Sequence, residues 1–235
     1  TRKRAGSFLG LAKNPDYATE VTLKPLERFA LDAAILFSDI LTVPDAMGLG
    51  LSFAQGEGPK FNKRIESESD IAALGRLDPN AELRYVADAV STIKKALNQR
   101  VPLIGFSGSP WTLACYMVEG KGSKDWAHIK RMMYAAPDVY AALMEKVTMM
   151  DMEYLNAQIK AGAQAIQIFD SWGGIIAGAD YEAASLRWIR RIIAALPANF
   201  PVILYAKGTA PHVADQAFSG ARVLSVDWTS DLAMV

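Results

Sequence analysis

The sequence is poor in the residues that bind metals and form cross-links. Cys115 is the one cysteine among 235 residues, and His128 and His212 are the two histidines. One cysteine excludes an internal disulfide and a multi-cysteine metal cage, and we expect Cys115 to be a half-buried apolar residue. The histidines are not at metal-ligand spacing from each other or from Cys115, so we expect no metal site and no Ser-His-acid triad.

The sequence also lacks a long apolar run and a net charge. No apolar run reaches the ~20 residues that span a bilayer, and residues 1–4 lead into no signal-peptide hydrophobic region. The 25 basic and 25 acidic residues cancel, so no overall field attracts nucleic acid or anionic lipid. We therefore expect a cytoplasmic protein that binds neither nucleic acid nor membranes, in which a polyanionic substrate needs a locally basic pocket.

Short apolar runs alternate with longer amphipathic segments along the chain. The runs predict strands buried on both faces, and the amphipathic segments predict helices. Pro137 and Gly162 have the residue types that begin and end a helix. The predicted strands are 33–40, 101–105, 165–169, 202–205 and 223–226, and the predicted helices are 83–97, 126–134, 137–161 and 181–196.

This alternation predicts a parallel sheet, in either a closed eight-stranded barrel or an open doubly wound fold. Five strands would suffice for an open flavodoxin-like sheet. The strand ends do not resemble a phosphate-binding site, however, and both ends of the sequence look cut. We therefore predict that residues 1–235 form one incomplete (β/α)8 TIM-type barrel domain of the α/β class, with about five strand–helix units and a hairpin inserted near residues 51–61.

The residues that follow the predicted strands form the candidate site, because α/β proteins place their active sites at the carboxyl ends of strands. Asp39 follows one apolar run and precedes more apolar residues, so its carboxylate needs partners. A helix N-cap, a structural ion pair and a ligand acceptor all fit that pattern. Asp170 and Asp227 are expected to be structural, and Lys207 is a candidate partner for a substrate carboxylate.

Six segments around these strand ends share a dense pattern with one known family. They cover residues 31–41, 56–59, 101–113, 116–120, 161–165 and 227–229. Together they closely resemble the uroporphyrinogen decarboxylase family. The resemblance implies a barrel whose cleft holds a tetrapyrrole, a homodimer, and no metal or organic cofactor. It further implies decarboxylation of the acetate side chains of uroporphyrinogen III to methyl groups, which gives coproporphyrinogen III.

The resemblance also assigns roles to individual residues. Asp39 matches the aspartate that accepts hydrogen bonds from pyrrole N–H groups, and it is the implied catalytic residue. Tyr116 matches a substrate-binding tyrosine, and Ser171 lies where the family has a binding serine or threonine. The family's arginine-rich motif would lie before Thr1 and its histidine motif beyond Val235, while 207–212 departs from the family's glycine-rich run, which weakens the role of Lys207. The implied apolar walls are Phe37, Phe106 and Phe169.

Two other functions fit a barrel of this kind. A related methyltransferase would act on corrinoid or thiol substrates through zinc, but the supply of histidine and cysteine argues against it. A fold-only relative or an inactive fragment would bind a porphyrin without converting it.

Overall fold

The computed structural model describes residues 1–53, 58–75, 78–79 and 81–233. Its strands are β1 (Ala34–Ile35), β2 (Leu51–Phe53), β3 (Pro59–Phe61), β4 (Leu103–Gly108), β5 (Ala165–Asp170), β6 (Val202–Ala206) and β7 (Val223–Ser225). Its α-helices are α1 (Arg2–Ala5), α2 (Phe8–Ala12), α3 (Pro15–Arg28), α4 (Thr42–Pro44), α5 (Glu68–Ala73), α6 (Arg84–Leu97), α7 (Pro110–Glu119), α8 (Ala127–Ala135), α9 (Pro137–Ala161), α10 (Arg187–Ala195) and α11 (Val213–Ala217). Single 3₁₀ or π turns lie at Asp45–Leu49, Gly173–Ile175, Gly178–Asp180, Glu182–Leu186 and Ala210–His212.

The main sheet has five parallel strands in the order β1-β4-β5-β6-β7. Each strand therefore pairs with the next main-sheet strand along the chain, and the order never reverses. An open doubly wound sheet contains such a reversal at its switch point, whereas a barrel wall is built sequentially. The strand order confirms the predicted (β/α)8-type barrel over the flavodoxin-like alternative, with these strands as consecutive members of the wall.

The two faces of the sheet differ in burial. On β5 and β6 the buried positions Ile166, Ile168, Val202 and Leu204 alternate with partly exposed ones. Because side chains alternate between faces, one face packs against the helices and the other is concave and more open. The prediction that every strand is buried on both faces is wrong for the outer strands, since Ile35 is 44% and Val223 is 51% exposed.

Strand β1 is shorter than the predicted strand 33–40. It pairs with β4 only through Ala34 and Ile35. Further along β4, the Gln158 side chain of α9 takes both backbone groups of Phe106, accepting from its N–H at 3.0 Å and donating to its carbonyl at 2.9 Å. A side chain at Gly105 would collide with that amide. The chain beyond Ile35 therefore leaves the sheet and turns at Asp39.

Strands β2 and β3 form a separate antiparallel pair. Residues 54–57, which include Gly56 and Glu57 of a family-like segment, lie outside the described residues. Helix α9 has Pro137 in its first turn and ends at Gly162, whose φ of 122° is in the region that favours glycine. The predicted helix 181–196 is present, as a π turn at Glu182–Leu186 that continues directly into α10. No helix of the described chain is long and apolar enough to span a membrane.

Candidate active-site cleft

A cavity of about 340 Å³ lies on the concave face, at the carboxyl ends of the strands. Its position agrees with the rule that barrel active sites form at this end of the wall. The cavity brings together most of the residues that the sequence nominated. Its lining includes Phe37, Ser38, Asp39, Phe106, Phe169 and Ser171.

Asp39 lies in the turn between β1 and α4. Its Oδ1 accepts a hydrogen bond from the backbone N–H of Leu41 at 2.7 Å, and its carbonyl accepts from the Thr42 hydroxyl at 2.9 Å. Oδ2 has no hydrogen-bond partner, and no cation forms an ion pair with the carboxylate, within the described residues. Burial raises the pKa of Asp39, and the Leu41 N–H offsets part of that rise. One oxygen is thus held in place and the other is available.

The turn that carries Asp39 rests on Tyr154 of α9. The Tyr154 side chain is fully buried, with the hydroxyls of Ser38 and Thr42 beside its own. Burial raises the pKa of Tyr154 to about 12, and the two neighbouring hydroxyls lessen the rise. Sequence reasoning missed this support, because a tyrosine in a long amphipathic helix carries no local signal of its neighbours.

The aromatic rings of Phe106 and Phe169 form the floor of the cleft. Phe106 and Phe169 meet edge to face with centroids 5.5 Å apart, and Phe169 meets Tyr205 at 5.9 Å. Such pairs contribute about 0.5–1.5 kcal/mol beyond their buried area. Phe37 closes one end of the floor, where its ring lies 5.9 Å from that of Phe8. The floor is therefore a firm apolar surface beside the Asp39 carboxylate.

Tyr116 lies at the rim of the cleft and does not line the cavity itself. Its ring meets Trp126 at 5.1 Å and Trp172 at 6.3 Å, and the two indoles are 4.7 Å apart. Burial raises the pKa of Tyr116, the neighbouring Trp172 indole lowers it, and the charge of Asp39 adds to the rise. Trp172 follows Ser171 directly, so its place at a strand end was the signal by which the sequence could have identified it.

Asp170 ends β5 on the opposite face, toward the helices. Its Oδ1 accepts from the hydroxyls of Ser109 at 2.7 Å and Thr112 at 3.4 Å. Its Oδ2 accepts from Ser185 at 2.9 Å and Tyr181 at 3.2 Å. The side chain is fully buried. These contacts give Asp170 the structural role expected for it, because no part of the carboxylate is open to a ligand.

Asp227 and Lys207 lie on the loops after β7 and β6. Asp227 accepts from the backbone N–H groups of Gly208 at 2.5 Å and Thr229 at 2.9 Å, which lowers its pKa together with the Thr229 hydroxyl. The Lys207 ammonium lies 5.9 Å from the centroid of the Trp172 ring. Asp227 is therefore occupied as a loop cap, while Lys207 stays exposed at the rim.

The remaining candidates lie away from the cleft. Cys115 is fully buried in α7 rather than half-buried as expected, and burial raises the pKa of its thiol well above the usual range. His212 stacks on Tyr181 with centroids 4.6 Å apart, and the backbone N–H of His128 donates to Glu119 at 2.7 Å. Nowhere in the described ranges do three or more His, Cys, Asp or Glu side chains form a group that could hold a metal.

Comparison with known proteins gives one consistent result. A family model described as uroporphyrinogen decarboxylase (URO-D) matches residues 1–235. The chain is 58% identical over 243 residues to the uroporphyrinogen decarboxylase of Ralstonia pickettii, a match that covers 100% of the chain and 66% of the relative. The corresponding protein of Burkholderia thailandensis is 57% identical over 242 residues, covering 99% of the chain and 66% of the relative.

The same fold occurs in a solved structure of low sequence similarity. A methyltransferase from Methanosarcina mazei superposes with a TM-score of 0.80 at 19% identity, covering 96% of this chain and 66% of that one. At this identity the likeness shows the fold alone. The chain spans 66% of the length of the relatives it matches.

Proposed function

The chain belongs to the uroporphyrinogen decarboxylase family, and from that premise we propose that it acts as a carboxy-lyase on a tetrapyrrole. The proposed reaction converts the acetate side chains of uroporphyrinogen III to methyl groups and gives coproporphyrinogen III. One observation supports this most strongly: Asp39 offers a carboxylate oxygen without a partner among the described residues, beside an apolar aromatic floor. A macrocycle with N–H groups at its centre and hydrocarbon around them complements that surface.

Loss of carbon dioxide from an acetate arm leaves an electron pair that needs a sink. A pyrrole ring protonated at carbon supplies one, because the pair left by the broken C–C bond moves into the ring and discharges its transient iminium cation. Protonation of the resulting methylene carbon, and loss of the proton first added to the ring carbon, then give the methyl group and restore the pyrrole. The substrate therefore acts as its own cofactor, and we propose no metal or organic cofactor.

The proposed task of Asp39 is electrostatic. As an ionised carboxylate it stabilises the cationic ring and accepts the pyrrole N–H groups, which also orients the macrocycle. The Leu41 N–H holds the first oxygen at 2.7 Å, so little rearrangement accompanies binding. Its partial burial makes the interaction stronger than it would be in water. Asp39 stays ionised through the cycle.

The other residues bind rather than react. Ser171 lines the same cavity and offers a hydroxyl to the substrate, while Tyr116 offers one from the rim. Phe37, Phe106 and Phe169 supply the apolar walls that exclude water from the reacting carbon. We further propose a cytoplasmic homodimer, on the strength of the family resemblance; sedimentation of the protein at micromolar concentration tests its oligomeric state.

The decisive experiment is anaerobic incubation of the protein with uroporphyrinogen III, followed by oxidation and chromatographic separation by carboxylate number. We expect porphyrins that lose carboxylates stepwise and end at coproporphyrin. Binding of uroporphyrinogen with no loss of carboxylates would show that the protein binds the tetrapyrrole without decarboxylating it. Asp39→Ala should abolish turnover without preventing folding, and unchanged turnover in that variant would remove Asp39 from the mechanism.

A further inference from the structure

Lys207 directly follows β6, and its side chain lies at the rim of the cleft. Along that strand Val202, Leu204 and Ala206 are buried against the helices, whereas Tyr205 meets Phe169 of the floor. Side-chain alternation therefore directs the second residue after Tyr205 toward the concave face. The Lys207 ammonium lies 5.9 Å from the centroid of Trp172, in agreement with that direction.

The backbone of Lys207 is held on both sides while its side chain is exposed. Its N–H donates to the Asp170 carbonyl at 3.2 Å, and its carbonyl accepts from the Gly174 N–H at 3.0 Å. The following residue, Gly208, has a φ of 70° and donates to Asp227. A Cβ at Gly174 would lie 2.6 Å from the Lys207 carbonyl oxygen, so a glycine is needed for this approach. A cation on a fixed backbone loses less freedom when it meets a ligand.

Lys207 is an exposed cation at this rim. It forms no ion pair among the described residues, and the carboxylate of nearby Asp227 is occupied by N–H and hydroxyl donors. Its ammonium lies over the Trp172 ring, whose buried indole N–H has the Tyr116 hydroxyl beside it and is not open to a ligand. A cation that is exposed beside the cleft and has no carboxylate partner is complementary to an anionic ligand group.

We propose that Lys207, whose ammonium lies over the Trp172 ring, forms a binding subsite for one carboxylate arm of the tetrapyrrole. This inference rests on the proposed function. The cleft then has an anionic side at Asp39, which takes the N–H groups of the macrocycle, and a cationic side at Lys207, which takes a side-chain carboxylate. Asp39 follows β1 and Lys207 follows β6, and the apolar rings of Phe106 and Phe169 are on β4 and β5, which lie between those two strands. The opposite charges fix which way the macrocycle faces.

The test measures binding of coproporphyrinogen III under anaerobic conditions, by calorimetry at several sodium chloride concentrations. Lys207→Gln should weaken binding about fivefold, as expected for one partly exposed charge pair. It should also reduce the dependence of log Kd on log salt. Lys207→Arg keeps the charge and should bind within about twofold of the unaltered protein. Trp172→Phe keeps an aromatic ring beside the ammonium and should weaken binding less than Lys207→Gln does.

Lys95→Gln provides the matched control, because it removes the same charge from an exposed position on α6, away from the cleft. That variant should bind and turn over as the unaltered protein does. Unchanged affinity and salt dependence in Lys207→Gln would overturn the subsite, and so would equal losses in Lys207→Gln and Lys207→Arg. Failure of the unaltered protein to bind coproporphyrinogen or convert uroporphyrinogen would instead overturn the proposed function.

Discussion

Asp39 and Asp170 are both carboxylates near strand ends, but Asp39 is half-buried and Asp170 fully buried, and they lie on opposite faces of the sheet. Asp170 faces the helices and accepts hydrogen bonds from four hydroxyl groups. Asp39 faces the concave side and, among the described residues, its carboxylate accepts one hydrogen bond, from the Leu41 N–H. Burial raises the pKa of each, and the hydroxyl donors offset the rise at Asp170.

The number of fixed donors separates a structural carboxylate from a binding one. A buried carboxylate costs free energy unless donors surround it, so full satisfaction ties Asp170 to the stability of the fold. A carboxylate that keeps one oxygen without a donor bears that cost until a ligand arrives. Under the proposed function, aspartates on the two faces of one barrel wall have two different tasks, so substitutions at Asp39 and at Asp170 should affect different measurements.

The largest effect is expected for Asp39→Asn. The amide oxygen can still accept from the Leu41 N–H, so the variant removes the charge while it keeps the shape. We expect turnover to fall about 10²- to 10³-fold, the range seen when one preorganised electrostatic contact is lost. The free energy of unfolding should change by less than about 1 kcal/mol. Steady-state assays and urea denaturation measure the two quantities.

The pH dependence of kcat/KM gives a second measurement on the same residue. In the proposed mechanism ionised Asp39 is the competent form. Because burial raises its pKa, activity should fall at a higher pH than the ordinary carboxyl value of 3.8 predicts. Residual activity in Asp39→Asn should lack that acidic limb. An unchanged limb in the variant would assign the titration to another group.

The next largest effect is expected for Asp170→Ala. The hydroxyls of Ser109, Thr112, Tyr181 and Ser185 would lose their shared acceptor inside the protein. We expect a loss of about 3 to 5 kcal/mol in the free energy of unfolding, measured by urea denaturation. Ser185→Ala removes a single donor and should cost about 1 kcal/mol. Equal losses in the two variants would contradict a shared network centred on the carboxylate.

The sequence predicted more of the fold than of the site. The apolar runs identify the strands, because the residues of a buried strand are themselves apolar. The alternation of these runs with amphipathic segments indicates a parallel sheet. The end of β1 at Ile35 could not be predicted in this way, since it depends on Gln158, which lies more than a hundred positions along the chain. The four donors around Asp170 are likewise brought together only by the fold, as are Tyr154 and the turn that carries Asp39.

A third carboxylate, the buried Asp151 of α9, sharpens the contrast between the first two. Both of its oxygens lack a hydrogen-bond partner within the described residues, and burial raises its pKa well above the usual 3.8. The folded state therefore keeps a proton that the unfolded chain releases, and stability falls as the pH rises above about 4. Asp151→Leu should raise the free energy of unfolding at pH 7 by about 1 to 2 kcal/mol.

That gain should shrink as the pH is lowered toward 4, because the unfolded chain then binds the same proton as the folded protein. Urea denaturation at a series of pH values measures it. The matched change Asp170→Leu should destabilise the protein at every pH, since it removes the acceptor of four hydroxyls. Loss of stability in Asp151→Leu at neutral pH would show that the carboxylate has a favourable partner.

The smallest effect is expected for Ser171→Ala, on the concave face beside Asp39. Its hydroxyl lines the cavity and takes no part in the hydrogen bonds that hold Asp170, although the two residues are adjacent in sequence. Loss of one neutral hydrogen bond to the substrate should raise KM about three- to tenfold and leave kcat within about threefold. The free energy of unfolding should stay within about 0.5 kcal/mol, as for a surface change. A destabilisation as large as that of Ser185→Ala would show that the Ser171 hydroxyl stabilises the fold, as that of Ser185 does, and does not face the cleft.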